Sequence, residues 1–376
     1  MTADAKTGQS AFLRVMVLLA LLFLFLSSIN MLGSGLKMTG EGVEAWLTKV
    51  TGNPFAALMT GVLCTAIVQS SSLTTSIVVG LVSSGQLEVV GAVPIIMGAN
   101  IGTTITCTLV ALGFVGRRGR FRRAFAAGTM HDFFNILTVI ILFPIELVFH
   151  PLARAAEWFA VNFADLTKFS SPESPLKTAT HFLSDRVKNV FVDGLSMGQK
   201  TAGILMAVVA LLFLFVSLYF LTGVLKGFMA TRMESLLDRF IFRSPLLSLL
   251  LGLVFTAVVQ SSSVTTSVAV PLVAAGVLRL EQVFPYTMGA NIGTTVTAFL
   301  AALGTGNPHA LAIASTHTLF NLVGVAIFFP VRRIRNIPIF LATTLASLTL
   351  RSRWYAILYI FTMFIALPLL FVYLWG

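Results

Sequence analysis

Long apolar runs along the chain alternate with short polar clusters, and the runs fall into two series. The first series lies at about 12–36, 55–86, 89–112 and 124–149, the second at about 201–226, 246–277, 283–304 and 308–331. Most of these runs carry almost no charge and reach about 20 residues, enough to cross a hydrocarbon core roughly 30 Å thick as a helix. A last run, 354–375, follows a stretch at 337–350 that is too short to cross comfortably. The first run, Phe12 to Leu36, is too long for a secretory signal and lacks its small-residue cleavage pattern, so it is expected to be retained.

Two of the runs are broken by polar residues, and the breaks repeat. Gln69-Ser70-Ser71-Ser72 returns as Gln260-Ser261-Ser262-Ser263, 191 residues on. At the same separation Met97-Gly98-Ala99-Asn100-Ile101-Gly102-Thr103-Thr104 returns as Met288-Gly289-Ala290-Asn291-Ile292-Gly293-Thr294-Thr295. Thr106 matches Thr297, Pro94 matches Pro285, and Gly61 matches Gly252. A third pair follows after a five-residue shift, His131-Asp132-Phe133-Phe134-Asn135 against His317-Thr318-Leu319-Phe320-Asn321. Three polar motifs in one order mark an internal duplication.

Each half therefore reads as a span, a polar-centred hairpin, a Gly-Ala-Asn segment and another span. Whether the hairpin crosses or re-enters, each half crosses an odd number of times, so the second half is expected to be inserted upside down. Placing the N-terminus in the cytoplasm puts the loops at 113–123, 226–245 and 331–353 inside. Those loops hold the arginine runs, while 305–308 has no Lys or Arg. The expected fold is an all-α polytopic membrane protein of two inverted-topology repeats, each with a re-entrant, polar-tipped helical hairpin. Its parts are repeat 1 at 12–150, an amphipathic external linker at 151–200, repeat 2 at 201–331, and an interfacial segment with a final transmembrane helix at 332–376.

Composition agrees with a membrane chain. It is 57% hydrophobic and 10% charged, with mean hydropathy +0.93, far from the roughly one-quarter charged residues of a soluble domain. The net charge of +11 comes from short runs between spans, such as Arg117, Arg118, Arg120, Arg122 and Arg123. That placement is an insertion signal and argues against a nucleic-acid partner. Cys64 and Cys107 lie inside apolar runs, with no disulfide framework or Cys/His metal cluster in view.

Polar groups inside a bilayer must find partners within the protein or line a watery cavity. A single Ser or Thr does this by bonding back to a helix carbonyl or gluing two helices. The same dense cluster in both halves points instead to a hairpin tip broken near mid-membrane. Two helix N-termini there would offer hydroxyls and free N–H groups to an oxyanion. In the Gly-Ala-Asn segments the glycines suit close packing, while Asn100, Thr103, Thr104, Thr106, Asn291, Thr294, Thr295 and Thr297 add neutral oxygens suited to sodium. Asp132 is an acid well inside a span and a functional candidate by default; Thr318 stands at its counterpart. His131 and His317 read more readily as packing residues, and no elbow motif supports a Ser–His nucleophile.

At these motifs, together with Phe121-Arg122-Arg123-Ala124-Phe125, the chain resembles the type II sodium-dependent phosphate cotransporter family, from about Phe12 to Pro330. The resemblance implies symport of inorganic phosphate with sodium, the two serine motifs facing each other around the anion. It implies sodium ligands at Gln260, Ser261, Thr294 and Thr297. In that family an acid at the position of Asp132 goes with electrogenic transport, which implies three sodium ions per divalent phosphate. Departures are Ala290, where vertebrate members have Ser, and Phe114 and Arg117, where they have Gln and Asp. Their large disulfide-bonded external loop is represented by a shorter cysteine-free linker.

The expected function is thus import of inorganic phosphate with sodium across the cytoplasmic (inner) membrane by alternating access, with no enzyme activity. Candidate phosphate-binding residues are Ser70, Ser71, Ser72, Ser261, Ser262, Ser263, Asn100 and Asn291. Candidate sodium-binding residues are Gln69, Gln260, Ser261, Thr103, Thr106, Thr294, Thr297, Asp132 and Asn135. Sodium is the coupling ion, and no cofactor or other metal is expected. Partners are phosphate, sodium and the lipid bilayer, with a homodimer as a further candidate assembly. Two rivals are a transporter of another small oxyanion or a dicarboxylate, and a membrane subunit signalling phosphate status. A soluble domain after Trp375-Gly376, which signalling relatives carry, is not expected.

Overall fold

A computed structural model describes residues 3–40, 45, 47, 49–164, 175–240 and 244–375. Every regular element among them is a helix. In the first part of the chain these are α1 (Ala3–Thr39), α2 (Pro54–Val68), α3 (Ser71–Ser83), α4 (Val89–Gly102), α5 (Ile105–Leu112), α6 (Arg118–Phe149), α7 (Pro151–Asn162) and α8 (Pro175–Asn189). The second part holds α9 (Gln199–Phe240), α10 (Pro245–Val259), α11 (Ser262–Ala275), α12 (Leu280–Gly293), α13 (Thr295–Thr305), α14 (Pro308–Phe328), α15 (Arg332–Leu348) and α16 (Trp354–Trp375).

Among the described residues, six stretches are long and apolar enough to cross a membrane: Val15–Thr39, Val89–Leu112, Arg118–Phe149, Gln199–Leu225, Pro308–Phe328 and Trp354–Trp375. The expected span at 283–304 is not one of them. It is divided at Thr294 into helices of 14 and 11 residues, as 89–112 is divided at Thr103 and Thr104. In each the second threonine donates to an isoleucine carbonyl at 2.7 Å, Thr295 to Ile292 and Thr104 to Ile101. The Gly-Thr-Thr sequence has low helix propensity, and a hydroxyl that bonds back locally competes with the helix ladder.

Sequence chemistry explains where the hairpin arms start and stop. α2 begins at Asn53-Pro54, where the Asn53 Oδ1 accepts from the Phe55 N–H at 2.9 Å; α10 begins at Ser244-Pro245, where the Ser244 hydroxyl accepts from Leu247. Pro at the first helical position loses nothing, because its missing donor would be unpaired there anyway. Both arms stop at a glutamine in the left-handed region, Gln69 at φ 55° and Gln260 at φ 60°. A serine then caps the next arm: the Ser70 hydroxyl accepts from the Leu73 N–H at 3.2 Å, and that of Ser261 from the Val264 N–H at 3.3 Å. Arms of 13 to 15 residues rise only about 20 Å, short of a bilayer core.

Glycine fixes how each hairpin sits on the helix that follows it. A Cβ at Gly98 would fall on the Leu58 carbonyl oxygen, and one at Gly289 on that of Leu249. The crossings of α2 with α4 and of α10 with α12 are therefore backbone-to-backbone contacts that no side chain can enter.

The second arms pack across the halves. α3 lies against α13 and α14, sharing a core in which Phe25, Ile29, Val78 and Val79 meet Ala298, Ala301 and Leu311. α11 lies against α5 and α6, where Phe125, Met130 and Phe134 meet Val270, Val273 and Phe284. The open end of the first hairpin meets the start of α14, where the Asn307 amide donates to the Ser83 carbonyl at 2.9 Å. The open end of the second meets the basic end of α6, where Arg123 donates to the Ala274 carbonyl at 2.8 and 3.0 Å. In the linker, Leu152, Ala153, Ala156 and Ala160 of α7 are buried, and the Glu146 carboxylate accepts from the Leu152 and Ala153 N–H groups at 2.7 and 3.1 Å. The 165–174 part of that linker lies outside the described residues.

Candidate functional site

The two serine tips meet. The Ser263 hydroxyl of the second lies 3.4 Å from the Gln69 carbonyl oxygen of the first. Gln69, Ser70, Ser72, Gln260, Ser261 and Ser263 line one cavity of about 500 Å³, closed on one side by Leu218 and Tyr219 of α9. Ser71 and Ser262 are buried beneath the tips. Among the described residues, the cavity lining has no Lys, Arg, Asp or Glu. A ligand there meets hydroxyls, glutamine amides and the positive N-terminal ends of α3 and α11.

Beside the cavity, oxygens from both halves converge. The Thr297 hydroxyl donates to the Gln260 Oε1 at 2.7 Å. The Ser72 hydroxyl stands 3.2 Å from that of Thr294 and 3.4 Å from that of Thr297. Gln260 also donates through its amide to the Ala257 carbonyl, which aims its oxygen at Thr297. The four neutral oxygens are linked by separations of 2.7, 3.2 and 3.4 Å, a cluster that offers hard oxygen donors to a cation. A monovalent hard cation suits a set without carboxylates.

The arrangement is one-sided. The counterparts of Thr294 and Thr297 are Thr103 and Thr106, whose buried hydroxyls have no hydrogen-bond partner among the described residues. Ser263, the counterpart of Ser72, reaches Gln69 instead, and Gln69 is exposed where Gln260 is buried.

Asn100 and Asn291 stand apart from the cavity lining. They belong to a fully buried chain of amides joining the halves. The Asn291 Oδ1 pairs with the His131 Nε2 at 2.7 Å, and its amide donates to the Asn135 Oδ1 at 2.9 Å. Asn135 donates to the Asn100 carbonyl at 2.8 Å, and Asn321 to the Asn100 Oδ1 at 3.2 Å. Both ring nitrogens of His317 lack a partner, although its counterpart His131 has one.

Asp132 and Asn135 share α6 but face different partners. The Asp132 Oδ2 accepts from the Tyr359 hydroxyl at 2.9 Å and the Thr108 hydroxyl at 3.2 Å, and its Oδ1 accepts none. Tyr359 gave no signal in the sequence, because α16 follows both repeats and has no internal counterpart. Asn321 carried one, since it closes the third repeated motif. Other polar residues are structural: Thr74, Thr265 and Thr266 donate back to the carbonyls of Ser70, Ser261 and Ser262.

The Na+/Pi-cotransporter family model matches residues 24–161 and 212–370. Sodium-dependent phosphate transport protein 2A of Ovis aries is 35% identical over 95% of this chain and 67% of its own length. Sodium-dependent phosphate transport protein 2B of Homo sapiens is 33% identical over 95% of this chain and 64% of its own length. The chain thus spans about two thirds of the length of these relatives. No solved structure matches it.

Proposed function

The chain belongs to the Na+/Pi-cotransporter family, a family of transporters and not of enzymes, and from that premise we propose that this multi-pass membrane protein carries inorganic phosphate with sodium. The observation that carries the reading is the meeting of the two serine tips at one cavity whose described lining carries hydroxyls and glutamine amides and no charged side chain. Phosphate sits between the tips, held by Ser70, Ser72, Ser261 and Ser263 and by the N–H groups that open α3 and α11. Sodium sits among Gln260, Thr294, Thr297 and Ser72, and its charge offsets that of the anion where the lining offers none. The test is labelled phosphate uptake into vesicles containing the purified protein. Uptake should require an inward sodium gradient, and equal uptake with choline in place of sodium would remove the coupling. Competition by sulfate, arsenate and succinate defines the anion.

The two halves are inverted repeats, and the site alternates between the two sides of the membrane. Support comes from the hairpins' open ends, which join opposite ends of the molecule: Ser83 at the start of α14, and Ala274 at the arginine-rich end of α6. It comes also from the unequal bonding. Ser72 holds Thr294 and Thr297 while Thr103 and Thr106 are left bare, so exchanging the two patterns yields a second state related by the repeat. The loops with the arginine runs face the cytoplasm.

Transport is electrogenic, three sodium ions accompanying one divalent phosphate, with Asp132 contributing to the additional ion. A carboxylate with one oxygen unpartnered inside a helix bundle supports that role. Replacing Asp132 by Gly should abolish the voltage dependence of uptake, and an unchanged voltage dependence would refute it.

A further inference from the structure

A second polar cavity, also of about 500 Å³, lies away from the serine tips, at the end of the molecule where Arg123 meets Ala274. Arg279, Glu281, Gln282, Arg332, Arg335 and Asn336 line it. Among the described residues, its lining holds three arginines and one glutamate. They come from two separate segments, so local sequence does not account for their convergence.

The helices add to the imbalance. α12 starts at Leu280 with Arg279 as its cap, α15 starts at Arg332, and α10 starts at Pro245, another lining residue. Three helix N-termini therefore open on the cavity, each with partial positive charge. Arg335 is held over the Phe329 ring with its guanidinium carbon 5.4 Å from the centroid, and Gln282 accepts from the Arg279 N–H at 2.9 Å. The Phe329 ring thus braces the Arg335 guanidinium, the Arg279 bond closes the helix start through its backbone N–H, and an arginine fork matches the oxygens of a phosphate group.

On the turn that follows Asn336, Ile337 and Phe340 are exposed, at 44% and 67%. The cavity-lining face of α15 continues through Ile339, also a lining residue, into Ala342 and Ala346, which are buried against the core that includes α6. A basic cavity on an amphipathic helix, with Phe340 exposed one turn beyond the lining residue Asn336, suits a molecule with an anionic head and an apolar tail.

We infer that this cavity binds a phosphate-bearing anion, the headgroup of an anionic phospholipid, with its acyl chains along Ile337 and Phe340. The site is separate from the transport cavity, and its test does not depend on transport.

The full-length protein is purified in a zwitterionic detergent and titrated with spin-labelled phosphatidylglycerol and spin-labelled phosphatidylcholine. The parent should prefer the anionic lipid by on the order of tenfold or more. The R279Q/R332Q/R335Q variant should lose that preference, and the R279K/R332K/R335K variant should keep part of it. Arg332→Gln alone, at an exposed position, tests the same claim should the triple variant fold poorly. Excess inorganic phosphate separates the two sources of the group. Failure to displace the lipid supports the headgroup, whereas displacement from the parent assigns the site to free phosphate and overturns the lipid. Equal preference in the parent and in both glutamine variants overturns the site altogether.

Discussion

The Ser263 hydroxyl lies 3.4 Å from the Gln69 carbonyl oxygen, a contact across 194 residues between two turns of the same left-handed shape. If the tips move apart during transport, joining them must stop it. In a Cys64→Ser background, Gln69→Cys with Ser263→Cys should react with a short bifunctional thiol reagent. Uptake should then fall and recover on cleavage of the link. Full uptake by the linked protein would show that the tips stay together throughout.

Thr297→Val removes the donor to Gln260 and one neighbour of Ser72. A hydrogen bond of this kind contributes about 0.5–1.5 kcal/mol, and a lost ion ligand adds to that. The sodium concentration for half-maximal uptake should rise roughly tenfold, since about 1.4 kcal/mol corresponds to that factor. The sodium dependence of initial rates measures it.

Thr103→Val and Thr106→Val should behave differently, because neither hydroxyl makes a bond here. Thermal stability should hold or rise, since an unpaired buried hydroxyl is unfavourable. Turnover should fall if those hydroxyls are used only in the opposite state. Maximal uptake at saturating sodium and phosphate reads the effect, and unchanged turnover would count against the exchange of bonding patterns.

Gly98→Ala or Gly289→Ala places a methyl group on a neighbouring backbone oxygen. Overpacking of this kind costs about 1–3 kcal/mol, and more where the neighbour is backbone that cannot turn aside. The apparent melting temperature should drop in either variant. Gly116→Ala, with nothing within 4 Å of the added carbon, serves as the unaffected control.

Tyr359→Phe removes one of two donors to the buried Asp132 carboxylate. Hydrogen bonds to charged groups contribute about 1.5–3 kcal/mol, so the variant should melt lower. In an Asp132→Ala background the same change should have little effect. A melting series over both single variants and the double variant measures that coupling.

The polar breaks were legible in the sequence because serine and glutamine stand out in an apolar run, and because the duplication shows the break twice. The left-handed turns at Gln69 and Gln260 were not, since glutamine carries no local preference for positive φ. The pairing of Ser72 with Thr294 and Thr297 could not be read either. It spans more than 220 residues and joins positions that are not counterparts in the repeat. The division at Thr294 was hidden inside a run that is apolar by average, and only the competition between hydroxyl and helix ladder reveals it.

Where Gly98 meets Leu58 and Gly289 meets Leu249, two helix axes approach until main chain touches main chain. Such a seam has no layer of side chains to slide on or repack. Each first arm is consequently riveted to the helix it crosses, and the pair behaves as a single strut. In the proposed alternation of access, displacement within a half then falls to the second arm, with the glutamine turn between the arms as its joint.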